Sequence, residues 1–308
     1  MPPAIRDLIV GRAADEALAW FDLGAADAAE VRGVAATIAA DEALSGELTQ
    51  IVASLRRGLG VPRPWDLVEL PKRYDPMDPS AAVLDRWWYT VAALAFVPET
   101  LAYHRARGVA EHTSRATLAD LGRHARIHAR TYGRSGLATE SWIQLHLRGL
   151  LYDLGRLQFN LTTLRLPAAM MAAAGMAAEP GDVVLDTHIP ETGPLTPDEV
   201  TASLGRARGF FAAHFPEHAP YRWALCHSWL LDPQLSTLLP GSNIDAFCRR
   251  WTVLDPGVRA DQSALDFIFR MPGVPLGSLP RDTRLQRAVV DHLTNGGHLH
   301  QTLGFLPI

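Results

Sequence analysis

Within residues 182–231, His188, Glu191, His227 and Ser228 are the side chains best suited to moving protons. Imidazole titrates near neutral pH, so His188 and His227 suit general acid–base work. Glu191 adds a carboxylate base and Ser228 a hydroxyl donor. The segment reads as a strand over 182–189, a polar loop, a helix over 197–215 and a strand over 221–231. Asp186 and His188 then share one face of the first strand, and His227 lies near the end of the second. If the strands are parallel neighbours, both histidines meet at the carboxyl ends, where ligands of open α/β sheets bind. The competing reading is that each imidazole only caps a strand end through backbone hydrogen bonds.

The elements around these residues carry their own signals. Thr196 is an expected N-cap, with Pro197 at the first helical position and Glu199 reaching back as a capping box. Val200, Leu204, Ala207, Phe211 and Phe215 recur at helical spacing, and Pro216 stops the helix. Ser242 and Asn243 open a further helix over about 242–250 as an N-cap pair.

Two other histidine pairs invite a metal reading and do not sustain it. His124 and His128 are four apart on a helix, but the glutamate of an HExxH motif is missing and Arg123, Arg126 and Arg130 surround them. A solvated or interface face is the expectation there. His298 and His300 share one face of the last strand without a carboxylate at a recognisable spacing, which points to a sheet surface. No metal is expected. There is no GxxxxGK, no GxGxxG after a strand and no GxSxG, so P-loop, dinucleotide and α/β-hydrolase chemistry lose their main support.

Stepping outward, the 308 residues exceed the size of one typical domain of about 100–200 residues. Hydrophobic content of 48% with 20% charged residues is globular, and a net charge of −4 offers no footprint for nucleic acid or anionic membrane. Cys226 and Cys248 form no CxxC pair, and Cys226 falls in an apolar strand, so buried thiols in a reducing cytoplasm are expected. The N-terminus lacks the pattern of a signal peptide, and the apolar run Pro167–Ala178 is shorter than the roughly 20 residues of a membrane span. A soluble, cytoplasmic protein is expected.

Residues 1–153 read as an all-helical domain. Its stripes include Val31, Val34, Ala35 and Ile38, then Leu48, Ile51, Val52 and Leu55. Prolines at 62, 64, 71, 76 and 79 exclude regular helix, while Trp65, Leu67 and Leu70 should tether that connection. Pro98 should kink or split the helix over 81–105. The period changes at about residue 154, where Arg156–Thr162 alternates apolar and polar. Residues 154–308 are then a second domain, α/β or α+β, with further strands expected at 251–255, 264–270 and 298–305, and a helix at 281–294. The whole is α+β.

The motifs HIPxxGPL (188–195), SLxxAxxFF (203–211), CHSWLL (226–231) and SNIxxF (242–247) together resemble a bacterial group of N-acyltransferases. Those proteins join a helical N-terminal domain to a C-terminal domain like the GNAT acetyltransferases. The resemblance covers the second half well and the helical half only in general character. It implies a mixed sheet whose fourth and fifth strands, 182–189 and 221–231, run parallel and splay apart to take acyl-CoA. It implies transfer of an acyl group, acetyl or longer, from CoA to an amine on a small-molecule acceptor. His188 or Glu191 would deprotonate the amine, and His227 or Ser228 would protonate the departing thiolate. Asn243 matches the position where such enzymes place an Asn against the cofactor. The usual Q/RxxGxG/A phosphate signature is missing, so the pyrophosphate is expected on Gly193 and the amides near Leu195 and Thr196. Arg206 or Arg208 would supply charge, with Ser203 nearby. Asp198 and Glu199 in the first helical turn oppose a phosphate there. The helical half would shape the acceptor pocket or form a subunit interface. The alternative is a degenerate GNAT-like binding or scaffold module, favoured by that acidic helix start.

Overall fold

Eight helices make up the first part of the chain in the computed structural model, which describes residues 5–62 and 70–308. The chain divides into two compact units, Met1–Tyr152 and Asp153–Ile308. In the first, α1 (Ile5–Ile9), α2 (Gly11–Leu18), α3 (Ala25–Ala40) and α4 (Glu42–Arg57) pack against α5 (Val83–Ala106). Helix α5 is apolar almost all round and therefore central, burying Trp87, Trp88, Val91, Leu94 and Phe96. Pro98 lies inside α5 and does not split it. Packing on several sides compensates for the one backbone bond that a proline removes. Trp65 and Leu67 lie outside the described residues, while Leu70 is buried in the core of this unit.

The remaining helices of the first unit are α6 (Glu111–Leu118), α7 (Asp120–Tyr132) and α8 (Glu140–Leu147). They enclose a charge cluster. Asp120 is fully buried, with His146 Nε2 at 2.7 Å, His124 Nε2 at 3.5 Å and the Arg123 guanidinium against its other oxygen. Burial alone would raise the Asp120 carboxyl, but hydrogen bonds and charge from His124 and His146 hold it far below the carboxylate range. His128 is also buried, placed between the Tyr74 hydroxyl at 2.8 Å and the Arg134 carbonyl at 2.8 Å. The histidine pair on α7 is thus an internal structural pair, not a solvated face. His124 turns back to Asp120 on the same helix, and His128 turns to Tyr74 and Arg134 outside it, which spacing alone does not reveal.

The second unit is a mixed sheet with helices. Its elements are β1 (Leu151–Asp153, straddling the division), β2 (Gln158–Thr163), α9 (Ala168–Ala173), β3 (Val183–His188), α10 (Pro197–His214), β4 (Trp223–Ser228), α11 (Gln234–Leu238) and α12 (Asn243–Cys248). There follow β5 (Thr252–Arg259), α13 (Asp261–Phe269), α14 (Arg284–Thr294) and β6 (His300–Pro307). The strand order is β1-β2-β3-β4-β6-β5. Of residues 264–270, expected as strand, 264–269 belong to helix α13 and Arg270 is its left-handed cap. Ala264, Leu265 and Ile268 recur at helical spacing and pack against Leu285 and Val289 of α14. Among the described residues, no helix is long and apolar enough to cross a membrane.

Candidate active site

The parallel pair β3/β4 is unusually short for its strands. Only Leu185↔Ala224 and Asp186↔Leu225 are in register. By contrast β3 pairs with β2 over six positions, from Val183 to His188, and β4 pairs with β6 over six, from Trp223 to Ser228. Each strand is therefore held along its outer edge while the inner ladder stops at Asp186. Beyond that point Thr187–His188 and Cys226–Ser228 have no registered pairing with each other, as expected for the wedge that the resemblance implies at the carboxyl ends of these two parallel strands. Such a wedge offers strand-edge backbone groups to a ligand.

His188 lies at the mouth of this wedge, with a side chain 12% exposed. Asn160 on β2 fixes its tautomer. The Asn160 amide nitrogen donates to the Leu161 carbonyl at 3.1 Å, so its oxygen faces His188 Nε2 in a close hydrogen bond. Nε2 must then carry the proton, and Nδ1 the lone pair that a base needs. Asp186 Oδ2 stands 3.7 Å from the same Nε2.

The other proton carriers are placed differently. Glu191 is tied to Arg270, with guanidinium bonds of 3.1 and 3.2 Å to one oxygen. Its charge is thus already engaged by a cation. His227 is exposed on β4 and lies opposite Leu303 of β6 in the ladder. Ser228 caps the 3-10 turn Trp229–Leu231 by accepting from the Leu230 amide at 3.1 Å, which leaves its own hydroxyl proton to donate.

The loop from Pro190 to Thr196 is organised by a residue that sequence reasoning overlooked. Arg156, only 9% exposed, donates to the carbonyls of Pro190 (3.1 Å), Gly193 (2.7 Å) and Pro194 (2.9 Å). One guanidinium thus draws three carbonyls of the loop together, and the Thr192 amide donates to one of them, that of Pro190, at 2.9 Å. Gly193, at φ +125°, occupies the region that glycine alone enters readily, and nothing fills the space beside it. Leu195 is buried and anchors the loop. The capping box does not form. The Thr196 hydroxyl donates to the Glu199 carboxylate instead of bonding the backbone, while Pro197 takes the first helical position as expected. Arg250 approaches this helix start, bonding the Pro197 carbonyl and the Thr201 hydroxyl at 2.9 Å each.

Ser203 and Arg206 face the β1–β2 turn. The Ser203 hydroxyl donates to the Leu154 carbonyl at 2.9 Å and accepts from the Leu157 amide at 3.1 Å. Arg206 Nε donates to the same Leu154 carbonyl at 2.8 Å. Both hold α10 to the sheet, and Ser203 replaces Leu204 in the buried stripe with Val200, Ala207 and Phe211. Asn243 is exposed at the first position of α12, where the cap is made by Ser242 accepting from Asp245 at 3.1 Å. His298 and His300 are not bare sheet surface, since each has a carboxylate partner, Asp261 at 3.0 Å and Asp232 at 3.1 Å.

Comparison with known proteins agrees with this geometry. Residues 12–149 match the N-acyltransferase N-terminal domain, and residues 151–306 match the GNAT-like C-terminal domain. No curated protein matches. Among solved structures, a mutant acyltransferase in complex with octanoyl-CoA is 35% identical, with a TM-score of 0.82 over 97% of this chain and 88% of its own. An acyltransferase in complex with decanoyl-CoA and teicoplanin is 35% identical, with a TM-score of 0.81 over 96% and 88%. One in complex with CoA and 10C-teicoplanin is 35% identical, with a TM-score of 0.81 over 97% and 89%.

The chain belongs to this N-acyltransferase family. In this N-acyltransferase both cysteine thiols are buried. Burial, with added charge from Asp186 and Cys248, raises Cys226 well above the thiol range. Burial pushes Cys248 up to about 12, and its thiol donates to the Leu230 carbonyl at 2.7 Å. A thiolate is the reactive form, so neither buried thiol is poised as a nucleophile. Arg156, which gathers the loop, and Asn160, which bonds His188, were not expected from the sequence. Asn160 alternates with Phe159 and Leu161 along β2, and a polar residue on a fully buried strand was the available signal.

Proposed function

We propose that this protein transfers an acyl group of medium chain length from acyl-CoA directly to an amine on a small-molecule acceptor. The observation that carries the reading is the two-pair β3/β4 ladder opening onto His188, in a chain similar over its length to acyltransferases solved with octanoyl- and decanoyl-CoA. A degenerate scaffold would have no use for an imidazole held in one tautomer beside an open wedge. His188 Nδ1 takes the proton as the amine nitrogen bonds to the thioester carbon. Strand-edge amides receive the developing oxyanion, the carbon–sulfur bond breaks, and His227 or Ser228 returns a proton to the thiolate. Relatives solved with teicoplanin make a glycopeptide amine the first acceptor to try. Free Cys226 and Cys248 suit a cytoplasmic enzyme.

Thermal melting with an acyl-CoA panel tests the donor. Saturating octanoyl- or decanoyl-CoA should raise Tm by several degrees and protect 188–206 from hydrogen exchange. No shift with any acyl-CoA at millimolar concentration would overturn the reading. For Arg156→Ala, loss of three charge-assisted bonds should unfasten the 190–194 loop and raise KM for acyl-CoA about tenfold or more, with a smaller change in kcat. Steady-state kinetics check this, and an unchanged KM would remove the loop from the donor site.

A further inference from the structure

We propose that Asp186 is the positioning residue for His188, a buried carboxyl that supplies the counter-charge for the imidazolium formed when His188 takes the acceptor's proton. This rests on His188 being the base. Asp186 occupies the last registered position of the β3/β4 ladder, at the point where the wedge opens. It is 2% exposed, and its Oδ2 has no hydrogen-bond partner although it lies 3.7 Å from His188 Nε2. A buried carboxyl oxygen without a partner is unfavourable unless another state of the protein uses it. Asn160, the cross-strand partner of Asp186, already orients the ring through the same Nε2–H. Asn160 therefore orients the neutral ring, and Asp186 is placed to hold the ring once it is charged.

Burial pushes the carboxyl up to about 8, against a hydrogen bond from the Thr187 backbone that pulls it down. Other groups of this unit on the neighbouring elements leave that intact. From β2 come the uncharged Asn160 and Gln158, the latter reaching Asp153 on β1 at 3.5 Å. From β4 come Cys226, whose thiol stays protonated, and His227, two residues beyond Leu225 on the same face. Glu191 follows β3 and is paired with Arg270.

The proton count is simple. Above about pH 8 Asp186 has given its proton to solvent. The amine proton passes to Nδ1 as the nitrogen–carbon bond forms and the carbon–sulfur bond breaks. The imidazolium then shares its Nε2 proton between Asn160 Oδ1 and the Asp186 carboxylate until Nδ1 gives its own proton to water, and solvent restores the proton that His227 or Ser228 gave to the thiolate. Below pH 8 the neutral acid offers no counter-charge, and the two groups titrate as a pair.

The test follows kcat/KM for acyl transfer against pH in wild type, Asp186→Asn and His188→Ala. Wild type should rise to a limb near pH 8. Asp186→Asn should be close to wild type at pH 6.5, fall about 10–100-fold behind it at pH 9, and show a limb in the ordinary histidine range near 6.5. It should also melt higher than wild type at alkaline pH. The sign follows from linkage, because a raised carboxyl favours the fold below the unfolded value near 4 and loses that contribution as pH climbs to 8. Wild type alone gives a readout that needs no variant to fold, since one 13C-labelled Asp carboxyl should titrate near 8. An Asp186→Asn enzyme with the wild-type limb and rate, or aspartates that all titrate below about 5, would overturn the inference. Full activity in His188→Ala would instead remove the base itself.

Discussion

His188→Ala is expected to lower kcat/KM by about 10²–10⁴-fold, the usual worth of a positioned general base, while KM for acyl-CoA stays near wild type. The size follows from how much of the site converges on this one ring. Asn160 fixes the tautomer, the two-pair ladder places the ring at the open end of β3, and no buried thiolate stands by to replace it. Glu191→Gln is the informative contrast. Its carboxylate is held by Arg270, so its loss should cost less than about tenfold. The measurement is steady-state transfer to a saturating amine, with melting temperature as the check on folding. Equal losses in the two variants would mean that the base works through the loop and not through β3. A His188→Ala enzyme within threefold of wild type would end the assignment.

Much of this site could be read from the chain because its signals are local. Pro197 at a helix start, period-2 alternation from 156 to 162 and the strand–helix–strand spacing of 182–231 each depend on near neighbours, and the motifs from HIPxxGPL to SNIxxF carried the family. What stayed hidden depends on pairs far apart in sequence. Arg156 matters because three carbonyls more than thirty residues away turn toward it, and an arginine at the head of a strand looks like any other surface cation. Ser203 and Arg206 were expected at a phosphate, as polar residues on the first turns of the helix after the loop. The Leu154 carbonyl claims both. Residues 264–270 misled because a short run of apolar residues fits either period, and only packing against α14 decides. The length of the β3/β4 ladder, the feature that gives the wedge its meaning, has no sequence signal at all.

The same limit explains why the helical unit holds the largest stability effect. His124 and His128 looked like a solvated or interface pair, yet Asp120, which starts the same helix, is among the most buried charges of the described residues. Asp120→Ala should destabilise the first unit by about 3–5 kcal/mol, because it strands His146, His124 and Arg123 around a vacated buried position. For a unit of this size that corresponds to a fall in Tm of roughly 10 °C or more. The pH dependence is fixed by the direction of the shift. A carboxyl held below its ordinary value stabilises the fold above the unfolded value near 4 and loses that contribution as pH falls through the folded value. The gap between wild type and variant should therefore be widest between about pH 5 and 8 and narrow in acid below 4. Urea unfolding followed by the fluorescence of Trp87 and Trp88, both buried in this unit, measures it directly. Asp120→Asn should fall between the two, since the amide can still accept from His146 without carrying the charge. If Asp120→Ala unfolds within 1 kcal/mol of wild type across that range, the cluster is not what holds α7 to α8.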